Sequence, residues 1–118
     1  MTGWGNINST WYYFNSTGAA VHGWNSIGGA WYFFDSEAKM LEKEWLDNTY
    51  YFTEGGSMAI GWLQIDGFYY YFAGSGEKVC NKWIGDYYLK EDGKMAVNEW
   101  VDGGKYYLDH NGVWDTTK

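Results

Sequence analysis

A lone tryptophan recurs along this chain as Trp4, Trp24, Trp45, Trp62, Trp83 and Trp100, at intervals of 20, 21, 17, 21 and 17 residues. Each is followed by a Tyr-Tyr-Phe-like triplet, starting at Tyr12, Tyr32, Tyr50, Tyr70, Tyr87 and Tyr106. Six residues into each triplet frame stands Gly18, Ala38, Gly56, Gly76, Gly93 or Gly112, and two further on Ala20, Met40, Met58, Lys78, Met95 or Trp114. Six copies in register define a repeat architecture, in which each unit buries its face against its neighbours rather than in one central core.

The composition narrows the functions open to such an array. Aromatic residues make up 23% of the 118 residues, while aliphatic side chains are sparse, so the rings serve as core, binding surface or both. A net charge of -7 with only 8 Lys and Arg argues against a nucleic-acid backbone or an anionic membrane as partner and fits a cationic ligand. No apolar run approaches the ~20 residues that span a bilayer, so membrane insertion is not expected. Because Met1-Thr2-Gly3-Trp4 already lies inside a repeat, the chain reads as a piece of something longer rather than as one opening on a signal peptide. Cys80 stands alone and no Cys cluster suggests a metal; the expectation is no metal and no cofactor.

Trp11-Tyr12-Tyr13-Phe14, Trp31-Tyr32-Phe33-Phe34 and Tyr69-Tyr70-Tyr71-Phe72 are aromatic strand formers, each followed by a polar turn such as Asn15-Ser16-Thr17-Gly18. Each cassette is expected to be a β-hairpin of about five residues per strand, with the polar turn as its hairpin turn and the small or Met-bearing stretch as its second strand. Alternation along a strand points the first Tyr of a triplet away from the second, so one repeat supplies rings to two interfaces. Ser36–Trp45 is charged enough to pass for a short helix, but its columns match a turn and strand elsewhere. With no proline and no linker, residues 1–118 read as a single all-β solenoid of six repeats.

From lone Trp to triplet the count is eight residues in the first, second and fourth copies, but five, four and six in the third, fifth and sixth. On the hairpin reading above, this variation falls in the connection between hairpins. The long copies place Trp11, Trp31 and Tyr69 just before the triplet, where the short ones have Thr49, Asp86 and Lys105. Either the long copies build a distinct kind of site, or the loop length has drifted.

Gly23-Trp24 through Trp31-Tyr32-Phe33-Phe34-Asp35-Ser36, and Gly61-Trp62-Leu63-Gln64-Ile65-Asp66-Gly67 running into Tyr70-Tyr71-Phe72, resemble choline-binding repeats, the cell-wall-binding modules of pneumococcal and phage lytic enzymes and surface proteins. The resemblance covers essentially the whole chain. It implies a left-handed β-hairpin solenoid with aromatic cages between consecutive hairpins that receive the choline of teichoic-acid phosphocholine. Glucan-binding repeats of sucrases and the carbohydrate-binding repeats of clostridial toxins share the Gly-Trp and Tyr-Tyr-Phe pattern.

A quaternary ammonium offers no N–H donor, so a protein selects it through methyl contacts and the negative faces of rings, each cation–π contact contributing about 0.5–2 kcal/mol. Three rings around one such group give millimolar-range affinity, and a row of weak sites on a polymeric ligand gives firm attachment. By the resemblance, each cage takes the lone Trp and pre-triplet ring of one repeat and a triplet Tyr of the next. The complete sets are Trp4, Trp11 and Tyr32; Trp24, Trp31 and Tyr50; and Trp62, Tyr69 and Tyr87, with Met40 and Met58 in the column that helps to close the pocket. The interfaces beginning at Trp45 and Trp83 lack the middle ring, Trp100 would need a following repeat, and Trp114 is expected to cap the last edge. In an aliphatic-poor chain, any single ring here also serves as packing.

No catalytic residues are expected. His22 and His110 belong to no cluster and are read as solvated, while Asp35, Glu54, Asp66, Asp92 and Asp109 fall mostly in turns, where Asp serves the backbone. Paired carboxylates for glycoside hydrolysis would have to face each other across a cleft. The resulting expectation is a secreted, wall-associated, non-catalytic module that anchors its parent protein to choline or phosphocholine on teichoic acid, with a homodimer through the terminal hairpin as a further expectation. The alternatives are an oligosaccharide-binding array and a structural spacer stalk; intact three-ring sets favour choline, and the degenerate repeats favour some spacer role.

Overall fold

The computed structural model describes all 118 residues and contains twelve strands and no helix. The strands pair as six antiparallel hairpins: β1 (Gly3–Ile7) with β2 (Thr10–Phe14), β3 (Gly23–Ile27) with β4 (Ala30–Phe34), β5 (Glu44–Leu46) with β6 (Tyr50–Phe52), β7 (Gly61–Ile65) with β8 (Phe68–Phe72), β9 (Lys82–Ile84) with β10 (Tyr87–Leu89), and β11 (Glu99–Val101) with β12 (Tyr106–Leu108). The chain divides into two compact units of three hairpins each, Met1–Ala59 and Ile60–Lys118.

The pairing corrects the hairpin assignment. The two strands of each hairpin are the lone-Trp strand and the triplet strand, with Trp4 opposite Tyr13, Trp24 opposite Phe33 and Trp62 opposite Tyr71. The polar turn after the triplet leads only to a single bridge, such as Phe14 to Ala20 or Phe34 to Met40. Cross-strand ring contact explains the choice: Trp4–Tyr13, Trp62–Tyr71 and Trp100–Tyr107 meet edge to face with centroids 5.2, 5.1 and 5.2 Å apart. No Ala, Met or Lys in the bridge column offers a Trp partner of that kind.

The length variation is therefore inside the hairpin. Long copies have five-residue strands and short copies three-residue ones. Two extra residues per strand preserve the side-chain alternation, so Trp11 falls on the same face as Trp4 and Tyr13, while Tyr12 and Phe14 occupy the other. The long hairpins close through two-residue loops, Asn8-Ser9, Gly28-Gly29 and Asp66-Gly67, with both residues at positive φ, the geometry that matches strand twist.

Six similar turns follow the triplets. In each, the amide at the Gly column donates back to the carbonyl three residues earlier, as Gly56 to Thr53 at 2.8 Å and Gly112 to Asp109 at 2.9 Å. Asn15, Asp35 and Asp109 reinforce them, each accepting two backbone N–H bonds at one side-chain oxygen. Ser36–Trp45 is accordingly a turn, a bridge at Met40 and the start of β5.

The last triplet position is the core. Phe34, Phe52, Phe72, Leu89 and Leu108 are fully buried. Around them lie small clusters, Leu41, Phe52 and Met58 in the first unit and Ala96, Val101 and Leu108 in the second, each ringed by half-buried aromatics.

Candidate ligand cages

Strand alternation gives every hairpin two working faces. One face of β1–β2 carries Trp4 and Trp11, and against it stands the opposite face of the next hairpin, with Tyr32 and Phe34. Trp4 lies 6.1 Å from Trp11 at 87°, 4.9 Å from Tyr32 at 72° and 6.1 Å from Phe34. Trp4, Trp11 and Tyr32, with Met40 and Gly55, line a cavity of about 330 Å³. Phe34 is fully buried against Trp4, whereas Trp4 and Trp11 remain 38% and 40% exposed.

The second set repeats this geometry. Trp24 stands 6.3 Å from Trp31 at 78° and 4.9 Å from Tyr50 at 72°, with buried Phe52 behind it at 5.5 Å. Met58, buried, donates its amide to the Trp31 carbonyl at 2.8 Å, as Met40 does to Trp11 at 3.1 Å.

In the second unit, Trp62 lies 5.4 Å from Tyr87 at 68°. Together with Tyr69, Met95, Val97, His110 and Asn111 they line a cavity of about 560 Å³. Met95 holds the place that Met40 and Met58 hold above, its amide donating to the Tyr69 carbonyl at 2.8 Å. Thus all eleven residues singled out from the sequence fall in three ring clusters, and in each cluster the Tyr is the first of its triplet.

Three contributors were not foreseen. Met95 could have been found from the column it shares with Met40 and Met58. The post-triplet turn of a third repeat also reaches the site, through Gly55 in one cavity and Asn111 in another, both five residues after a triplet begins. His110, read as solvated, lines the Trp62 cavity beside Asn111; nothing in its sequence surroundings marks it. His22 packs its Nδ1 3.3 Å from the Asp35 carbonyl oxygen.

The degenerate copies differ from one another. Thr49, Asp86 and Lys105 all lie in hairpin loops rather than on a strand. Trp45 and Trp100 each pack on the opposite strand of their own hairpin, on Tyr51 and Tyr107 at 5.2 Å. Trp114 does more than cap an edge: its ring meets Trp83 at 6.0 Å and Tyr106 at 5.3 Å.

Family models described as choline-binding repeat match residues 1–45, 46–83 and 77–114. The chain belongs to the choline-binding repeat family. Among solved structures, it is 35% identical to choline-binding protein CbpF in complex with ipratropium, with a TM-score of 0.84 over 98% of this chain and 39% of that one. CbpF from Streptococcus pneumoniae in the presence of a peptidoglycan analogue gives 33% identity and a TM-score of 0.85, covering 98% and 40%. The phage Cp-1 cell-wall endolysin complexed with choline gives 32% and 0.71, covering 98% and 37%. The choline-binding repeat chain therefore spans about two-fifths of the length of these relatives, whose all-β hairpin-solenoid fold it shares. None of the curated protein sequences compared with it matches.

Proposed function

We propose that this chain is a non-catalytic anchoring module that holds a secreted, wall-associated protein on the phosphocholine of teichoic acid. The observation that carries the reading is the Trp4, Trp11 and Tyr32 cluster: Trp4 stands near-perpendicular to both Trp11 and Tyr32 around an open cavity, with the buried Phe34 packed on Trp4 and Met40 at the side. Near-perpendicular rings present several faces to one point, which suits a compact cation; a sugar ring calls for one flat exposed platform. The choline complex of the phage endolysin supports the ligand, and the peptidoglycan-analogue structure of CbpF supports the wall setting.

The module reads as one array of repeats across residues 1–118, a part of a larger protein, with attachment strength arising from several weak sites used together. A homodimer through the last hairpin is consistent with Trp100, 49% exposed. The test is calorimetric titration with choline beside a glucose oligomer. Millimolar choline binding at several sites without saccharide binding supports the reading; saccharide binding with none for choline replaces it with a sugar-binding array.

A further inference from the structure

Four backbone hydrogen bonds share one design. In each, the residue two positions beyond the turn Gly column donates its amide to the carbonyl of the residue preceding the triplet one repeat earlier: Met40 to Trp11, Met58 to Trp31, Met95 to Tyr69, and Trp114 to Asp86 at 2.9 Å. The same bond brings the same two side-chain positions together each time. In the first three, those positions hold a ring and a Met. In the fourth they hold a carboxylate and a ring, Asp86 and Trp114.

The exchange keeps the number of rings at three. Trp83 lies 5.5 Å from Tyr106 at 86° and 6.0 Å from Trp114 at 57°, and Tyr106 lies 5.3 Å from Trp114 at 86°. Trp83, Gly85, Asp86, Tyr106 and Trp114 line a cavity of about 250 Å³, smaller than the one at Trp4. The Trp83 indole N–H donates to the Asp102 carboxylate at 3.4 Å, which fixes the ring and sets a second negative charge at its edge. Asp86 itself is exposed in the two-residue loop between Ile84 and Tyr87.

We infer that this cluster is a fourth cation site, and that its ligand class is the protonated amine bearing N–H rather than the quaternary ammonium. The inference rests on the reading of the ring clusters as cation cages. Ring faces attract either kind of cation. A carboxylate on the wall discriminates between them: an ammonium N–H donates a charge-assisted hydrogen bond to it, whereas a trimethylammonium offers only methyl groups and strips water from the oxygens without replacing it. The three Met-bearing cages have no such acceptor in that position. The chain thereby carries two specificities on one backbone frame.

The experiment follows the indole N–H signals of the full chain by NMR at neutral pH, titrating choline, 2-(dimethylamino)ethanol and ethanolamine into wild type, Asp86→Asn and Trp114→Ala. The expected result is that the two amines shift the Trp83 and Trp114 signals at about tenfold lower concentration than choline. Asp86→Asn weakens amine binding there about tenfold, and Trp114→Ala abolishes it. Unshifted Trp83 and Trp114 signals in all three titrations, choline preferred at this site, or unchanged amine affinity in Asp86→Asn would each overturn the inference. The Trp4, Trp24 and Trp62 signals report independently on the choline cages: if choline leaves them unmoved while the amines shift Trp83, the anchoring reading fails and the fourth site stands.

Discussion

Met40 rests where a side chain on Gly56 would be: a Cβ built on Gly56 falls 2.4 Å from the Met40 sulfur. Gly112 stands in the same relation to Met95, whose terminal methyl lies 2.4 Å from the Cβ position. The glycine of one repeat thus seats the thioether that walls the cage beneath it.

This relation makes Gly56→Ala costly in two separable ways. At φ 89° an L side chain is strained by roughly 1–2 kcal/mol, and the methyl also displaces Met40. Gly29→Ala, at φ 90° with open space around its Cβ position, meets only the strain. Both variants should lower the melting temperature, but only Gly56→Ala should weaken choline at the Trp4 cage. The indole signal of Trp4 in a choline titration checks this, and equal affinity in the two variants would refute the seating role.

Choline should quench tryptophan fluorescence and raise thermal stability together. A ligand that binds only the folded state adds about 2.7 kcal/mol per site at a hundredfold excess over its dissociation constant. Three choline equivalents are expected, one for each complete ring set. A scan of melting temperature against choline concentration with no slope would be incompatible with native-state binding.

Trp31→Ala should remove one equivalent of choline while costing only about 1 kcal/mol, since the ring is 45% exposed. Phe52→Ala, at a fully buried position behind the same cage, should cost about 3–5 kcal/mol. Calorimetric stoichiometry and urea denaturation distinguish the two. A Trp31→Ala protein with full stoichiometry would show that this ring is packing.

Charge recognition is checked on a diethylaminoethyl matrix. With a net charge of -7 the protein adheres to any anion exchanger, so retention alone decides nothing. Choline should elute it at an ionic strength where sodium chloride does not, and the neutral isostere 3,3-dimethylbutanol should fail to elute it. Equal elution by choline and salt would reduce the interaction to ion exchange.

The columns of the sequence carried the number of hairpins and the separation of each triplet's first two rings onto opposite faces, because alternation decides which face a strand residue occupies, while the members of the three main ring clusters came from the resemblance to choline-binding repeats. The columns did not carry the partner of each triplet. Tyr12–Phe14 is flanked on both sides by segments able to pair with it, and only the edge-to-face fit of Trp4 on Tyr13 settles the choice. The contacts that Trp114 makes beyond capping the last edge were hidden for a related reason: its partners Trp83 and Tyr106 lie in different repeats, and the substitution at position 86 acquires meaning only once the amide of Trp114 is seen bonded to that residue.

The Trp4 cavity takes walls from three successive hairpins, Trp4 and Trp11 from one, Tyr32 and Met40 from the next and Gly55 from the third. Inheritance of such a molecule is therefore not inheritance of sites. A duplication or excision of one repeat in the gene joins half-sites that never met before, and the new junction inherits its ligand preference from whichever two neighbours it brings together. A chain emerging from the ribosome completes the Trp4 pocket only after the third hairpin has followed, so ligand affinity there accrues two repeats behind the folding front.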